Sequence, residues 1–189
     1  VPNLSRIRLA SDNAGLGMSP TSPTLSASAT QLDGPLPTDT PVFGSADVVL
    51  EDTPFASGAS AVVHAADWKG MAVVVKVFRS IGVDVWACFL SEAGEEVALM
   101  RRTTSPCTVS CYGIYRDTQR VGLVLERCGG SLDEMVKEGA PTHTADLERR
   151  LCAVHEAASG VAFLHATGII HHKIKPSNLL RTSGDNVKV

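Results

Sequence analysis

The 189-residue chain lacks any apolar run near the roughly 20 residues that a membrane-spanning helix needs, and its N-terminus lacks the charged-then-apolar layout of a secretory signal. It also lacks a long block of Lys or Arg. Seventeen basic residues stand against 20 acidic ones, a formal net charge of -3, so there is no electrostatic footprint for nucleic acid or for an anionic membrane surface. No CxxC occurs, and no His stands at ligand spacing from a Cys. The five cysteines, Cys88, Cys107, Cys111, Cys128 and Cys152, are scattered through apolar segments, which predicts reduced, mostly buried thiols and not a disulfide or zinc framework. Together these absences point to a cytoplasmic address, with the nucleus as the other compartment they allow, and to no membrane and no nucleic-acid partner. No internal repeat is visible. What remains, 44% hydrophobic and 20% charged residues, is the composition of one ordinary domain with some chain to spare. Val1 in place of Met and a strand-like close, NVKV, lead us to expect a piece of something longer.

Residues 1–45 are rich in Ser, Thr, Pro, Gly and Ala and poor in periodic apolar residues, so a disordered leader is expected there. Its Ser19-Pro20, Ser22-Pro23 and Thr40-Pro41 have the form of proline-directed phosphorylation sites, a form that any linker can carry. From residue 46 the texture changes to short β-branched runs: Val48 to Leu50, Ala61 to Ala65, Ala72 to Phe78, Thr108 to Tyr115 and Val121 to Glu126. Between the third and fourth runs, Phe89, Ala93, Val97 and Met100 recur at helical steps within Val85 to Arg102. Ser131 to Lys137 reads as a short helix capped by Ser131. Leu147 to Ala166 reads as a long one, with Leu147, Leu151, Val154, Ala158, Val161 and Leu164 on one face and Gly168 as its stop.

In AVVVKVF, Lys76 shares a strand face with Val74 and Phe78, so its ammonium is drawn away from water and needs an anionic partner. An edge-strand Lys kept for solubility is the plain alternative, and apolar residues on both sides argue against it. Glu92 and Glu96, four residues apart and stacked on one helix face, compete as that partner.

The run His171-His172-Lys173-Ile174-Lys175-Pro176-Ser177-Asn178, preceded by Gly168-Ile169-Ile170, resembles the catalytic loop H-R-D-x-K-x-x-N of eukaryotic-type protein kinases, on the Ser/Thr or tyrosine-kinase-like branch. The resemblance spans about residues 46–189. It implies an α+β, protein kinase-like fold: a five-stranded antiparallel small lobe with one helix, plus an incomplete helical large lobe. Residues 46–128 would be small lobe and hinge. Residues 129–189 would be a partial large lobe, ending before the Asp-Phe-Gly segment that supplies the main metal ligand. Within the family, Lys76 is the lysine that contacts the nucleotide α- and β-phosphates. Counting back from Ser105-Pro106-Cys107, which resembles the H-P-x turn, selects Glu96 as its partner, while a short connection after Lys76 allows Glu92.

Phe55 to Val63 lines up with the Gly-rich loop G-x-G-x-x-G-x-V, keeping Gly58 and the closing Val63 but placing Ala56 and Ala61 at the outer glycines, which weakens phosphate contact in expectation. Leu123 to Leu132 resembles the hinge, with adenine bonding to backbone around Glu126 to Cys128 and Leu125 guarding the back pocket. In the loop, the resemblance gives His171 a structural role, Lys175 a contact to the transferred phosphate and Asn178 one Mg²⁺. His172 replaces an Arg. Lys173 replaces the catalytic Asp, and an ammonium cannot accept the proton of an attacking hydroxyl at neutral pH.

The resemblance therefore implies ATP and Mg²⁺ as cofactors, both weakened, and a nucleotide and a protein substrate or partner as binding partners. Three functions follow as expectations: a kinase domain fragment that contacts nucleotide through Gly58, Lys76, Glu96 and Asn178 but transfers phosphate poorly or not at all; a pseudokinase scaffold without phosphotransfer; and an active kinase that tolerates Lys173. The apolar face of the long helix is expected to remain exposed, leaving the chain marginally stable.

Overall fold

The computed structural model describes residues 8–9, 39–58, 61–79 and 86–189, with backbone alone for 8–9 and 86–92. Strands form where β-branched residues cluster, because such side chains suit a pleated surface packed on both faces. β1 (Arg8–Leu9), β2 (Val42–Phe43), β3 (Val48–Leu50), β4 (Ala56–Ser57), β5 (Ala61–Trp68) and β6 (Met71–Phe78) are followed by helix α1 (Trp86–Arg102), β7 (Cys111–Arg116) and β8 (Val121–Glu126). Strands β2 to β8 build a seven-stranded sheet in the order β2-β7-β8-β6-β5-β3, with β4 also on β5. The β5–β6 hairpin turns at Lys69 and Gly70, whose φ of 53° and 87° give the two-residue turn that follows strand twist.

The sheet departs from five antiparallel strands in two places. The first expected run, Val48 to Leu50, is β3 and pairs with Ala66 to Trp68, while a further short strand, β4, pairs with Val62 and Val63. Between them stands Pro54, which has no N–H for a ladder. The second departure is β2, which pairs in parallel with β7, Val42 opposite Ile114 and Phe43 opposite Tyr115. Residues 41–43 of the expected leader thus belong to the sheet. Gly113 makes room for them: its φ is +156°, a Cβ there would lie 2.4 Å from Pro41 O, and Ile114 N donates to that oxygen at 2.9 Å. Arg8 and Leu9, also within the expected leader, pair with Ile170 and Ile169. The Ser19-Pro20 and Ser22-Pro23 dipeptides, like Ala59 and Ser60 of the Gly-rich-loop segment, lie outside the described residues.

Alternation along β6 divides the core. Val74 and Phe78 face α1 and pack with Ala93, Val97 and Met100, Val63 from β5, and Ile114 and Leu123 from β7 and β8. Val73, Val75 and Val77 face the other way, onto Val48, Ala66, Tyr115 and Val124. On that second face Phe43, Trp68 and Tyr112 stack, with ring centroids 4.9 Å and 5.2 Å apart, so β2 is held by its side chain as well as its backbone.

Beyond the sheet come β9 (Gly130–Ser131), α2 (Leu132–Lys137), α3 (Thr144–Ala166), β10 (Ile169–Ile170), a single 3-10 turn (Pro176–Asn178), β11 (Leu180–Arg181) and β12 (Val187–Lys188). Ser131 holds the N-cap position of α2 without a side-chain cap bond, whereas His143 Nδ1 caps α3 by accepting from Asp146 N at 3.3 Å. Gly168, with φ of 78°, follows the end of α3. The buried face of α3 is Ala153, Ala157, Gly160 and Leu164, a correction to the expected stripe, which shares only Leu164 with it. Small residues win because the last strand comes very close: a Cβ on Gly160 would lie 2.6 Å from Val189 Cγ2 and 2.8 Å from Cys107 O. Leu147, Leu151 and Val154 are left 46%, 60% and 64% exposed. With Val136 and Ile174 also exposed, they match the expected open apolar face. Of the four cysteines whose side chains are described, only Cys111 is buried. Cys107 and Cys128 are intermediate and Cys152 is exposed, a correction to mostly buried thiols.

Candidate functional site

Strand register sets the first half of the site. Ala56 stands opposite Val63, Val63 opposite Lys76, and Lys76 opposite Leu123, so the outer-glycine position, the valine and the lysine form one row across β4, β5, β6 and β8. Lys76 is 3% exposed, and its Nζ has no hydrogen-bond partner. The Phe78 ring lies 5.7 Å from it, measured to the centroid. Burial pushes the Lys76 pKa down, the charge of Glu96 opposes that, and the charge of Lys173 adds to it. Glu96 mirrors this: burial pushes its carboxyl up against the pull of Lys76, and its Oε1 is buried without a partner. Glu96 is thus a carboxylate that reaches Lys76 from α1, while the Glu92 side chain lies outside the described residues. Cys111 sits in the same neighbourhood, its thiol pushed up to about 12, chiefly by burial.

Gly58 is committed within its own hairpin. Its N–H donates to Ala61 O at 2.8 Å, and its carbonyl accepts from Arg79 Nε at 3.0 Å. Arg79 also donates to Ser57 Oγ at 2.6 Å, tying this loop to the end of β6. At the hinge position, Glu126 N donates to Ser110 O at 2.9 Å, and Glu126 Oε2 accepts from Lys188 Nζ at 2.7 Å and from Ser110 N at 3.2 Å. Burial and then the charge of Glu126 push the half-buried Cys128 thiol up to about 11.

The loop after β10 supplies the second half. Pro176 opens the 3-10 turn, whose fixed φ suits that position. The turn buries Asn178 to 1% exposure. Asn178 Nδ2 donates to Lys173 O at 2.8 Å, and Lys173 N donates to His171 Nδ1 at 3.2 Å, so the main chain of Lys173 is clamped from both sides. His171 is 3% exposed, and burial followed by the charge of His172 keeps its pKa low and the ring neutral. His172 takes a left-handed φ of 57°. The Lys173 side chain is half-buried and Lys175 is exposed. Lys76 thus feels the charges of both Glu96 and Lys173, and Asn178 is bonded to the Lys173 main chain.

A Mg²⁺ ion requires several oxygen donors, carboxylates first. The loop offers one neutral oxygen, Asn178 Oδ1, buried and without a partner. Next to it the chain carries an ammonium, and no group of three or more His, Cys, Asp or Glu side chains stands together among the described residues. The residues present do not fit the ion.

Two contacts had little sequence signal. The Lys188–Glu126 pair joins residues far apart in the chain; its one cue is a Lys between two valines in NVKV. The Arg79 clamp on Ser57 and Gly58 follows β6 by a single residue.

Comparison with known proteins bears on the whole arrangement. The family model described as "Protein kinase domain" matches residues 55–189. Mitogen-activated protein kinase kinase 7 of Arabidopsis thaliana is 30% identical over 136 residues, covering 70% of this chain and 42% of that protein. Serine/threonine-protein kinase CTR1 of Arabidopsis thaliana is 31% identical over 136 residues, 70% of this chain and 16% of that protein. MAP kinase kinase skh1/pek1 of Schizosaccharomyces pombe is 38% identical over 98 residues, 50% of this chain and 27% of that protein. The chain spans less than half the length of these relatives. The match covers most of the chain, and the row through Lys76 and the loop through Asn178 both fall within it: the chain belongs to the protein kinase family.

Proposed function

We propose that the chain is part of a Ser/Thr protein kinase-family domain that binds ATP and transfers phosphate weakly or not at all. The observation that supports this reading best is a buried Lys76 ammonium without a partner, in register with Ala56, Val63 and Leu123, beside a loop with Lys173 at the catalytic position. An anion in front of Lys76 offsets its desolvation. Residues 46–128 form the nucleotide-facing lobe and hinge, with 41–43 as an added edge, and residues 129–189 the start of the second lobe. Adenine lies against the backbone from Glu126 to Cys128. Gly58 contributes less than in an intact Gly-rich loop, because its N–H is already used.

Positioning and charge stabilisation supply most of phosphoryl transfer, and base catalysis contributes only about 10²- to 10⁴-fold, so loss of the Asp alone lowers the rate without removing every source of catalysis. Titrating ATP into the full chain while following the melting temperature tests the reading: a rise that Lys76→Met abolishes is expected, and no rise contradicts it. A second reading, a scaffold that engages another protein without nucleotide, is favoured by the exposed apolar surface of Leu147, Leu151, Val154 and Ile174. It predicts no nucleotide effect. The cytoplasm is the compartment proposed. Among the described residues no helix is long and apolar enough to cross a membrane.

A further inference from the structure

Strand β4 is the least supported arm of the sheet. It is two residues long and pairs with β5 alone, Ala56 opposite Val63 and Ser57 opposite Val62. Two backbone bonds extend that pairing, Phe55 N to Val63 O at 3.0 Å and Gly58 N to Ala61 O at 2.8 Å. So short an edge opens locally unless something beyond its own strand partner holds it. Arg79 supplies that hold. Ala61 stands opposite Phe78, and Arg79 follows Phe78, so its guanidinium reaches across the end of β5 to the β4 arm. Its Nε donates to Gly58 O at 3.0 Å and its Nη2 to Ser57 Oγ at 2.6 Å. Two donors fixed in one plane set the orientation of the arm as well as its distance, which a single ammonium does not do.

The clamp also ties the arm to the strand that carries Lys76. Strand β6 ends one residue before Arg79, and Lys76 lies on it in the row through Ala56, Val63 and Leu123. Holding Ser57 and Gly58 to the end of β6 therefore fixes their neighbour Ala56 relative to Lys76. We propose that Arg79 is a positioning residue for the nucleotide: by clamping Ser57 and Gly58 it holds the β4–β5 hairpin in place against the phosphate side of the site. The inference rests on the nucleotide-binding reading above and concerns what prepares that site. An arm already in place loses less conformational freedom when a ligand arrives, and the benefit falls on the part of the ligand that the arm meets. In this reading that part is the polyphosphate at Lys76, whereas adenine lies at the hinge.

The experiment titrates the full chain with ATP and with adenosine by calorimetry, and records its melting temperature without ligand. Arg79→Ala should weaken ATP binding by about threefold to tenfold, the worth of charge-assisted bonds at an exposed site. It should change adenosine binding by less than about twofold and the unliganded melting temperature by less than about 2 °C. Exchange of the Gly58 amide should quicken. Arg79→Lys keeps the charge without the fork, and should show most of the same ATP loss. Ser57→Ala should weaken ATP less, and adding it to Arg79→Ala should cost nothing more, because both act through one clamp. ATP binding that is indifferent to Arg79→Ala overturns the inference and leaves nucleotide recognition standing. An equal loss of ATP and adenosine overturns it too, as the mark of a general loosening of the fold. Full recovery in Arg79→Lys, or losses that add in the double variant, overturns it by making Arg79 a direct contact to the ligand. No ATP binding by the parent chain overturns the nucleotide reading and the inference with it.

Discussion

Taking an ammonium and a carboxyl out of water without bonding them to each other sets the residue-scale chemistry of Lys76 and Glu96, since each retains a buried polar atom with no partner. Burial raises the Glu96 pKa against the opposing charge of Lys76, so folding shifts the carboxyl toward its protonated form. The stability this contributes is present at low pH and is lost as pH rises through the raised value. Glu96→Gln keeps the neutral shape at every pH. The melting temperature of Glu96→Gln should therefore gain on that of the parent as pH is raised from about 5 to about 8; a constant gap contradicts the raised pKa. Cysteine chemistry gives a second test at this scale. The Cys111 thiol is buried and pushed up to about 12, whereas Cys152 is exposed on α3. Alkylation of the native chain at mildly alkaline pH, mapped by peptide mass, should label Cys152 and spare Cys111 until the chain is unfolded; early labelling of Cys111 contradicts its burial.

At the scale of elements, close backbone approach decides more than hydrophobic pattern does. Val189 N donates to Cys107 O at 2.9 Å and Val109 N to Val189 O at 3.0 Å, and α3 accepts this strand only because position 160 has no side chain. Gly160→Ala should destabilise the chain by about 1–3 kcal/mol, as overpacking does, and lower its melting temperature despite the better helix propensity of Ala. An unchanged or raised melting temperature contradicts the packing of α3 against Val189. The same cause explains what could be read from the chain beforehand. Strands β5, β6 and β8 and helix α1 were legible because their periods are long and their residues β-branched or evenly stepped. The orientation of α3 was not, because Leu147, Leu151 and Val154 make the more conspicuous stripe, while Ala153, Ala157 and Gly160 make the tighter contact. Strand β2 was hidden as well: two residues carry no period, and their place depends on Gly113 seventy positions later in the chain. In the site, the spacing from His171 to Asn178 revealed the loop. The ties of Glu126 to Lys188 and of Gly58 to Arg79 were invisible, being contacts between distant or unpatterned residues.

For the molecule as a whole, the sheet is packed on both faces and the helical part is not. Between α2, α3 and the loop lies a cavity of about 730 Å³ whose lining includes Met135, Val154, Val161 and Ile174. Such a surface promotes self-association. Leu151→Glu on the exposed side of α3 should increase the monomer fraction in size-exclusion chromatography and change stability by no more than about 0.5 kcal/mol, the usual range for surface substitutions. A large fall in melting temperature would show that Leu151 is packed. A protein kinase-family chain that holds ATP and transfers its phosphate weakly or not at all is tested most directly by following the label of γ-phosphate-labelled ATP incubated with the full chain and a generic Ser/Thr protein substrate. We predict that nearly all the label stays in ATP recovered from the protein, with little or none in the chain or the substrate. Label transferred at the rate of an active kinase, and lost on Lys76→Met, would contradict the account.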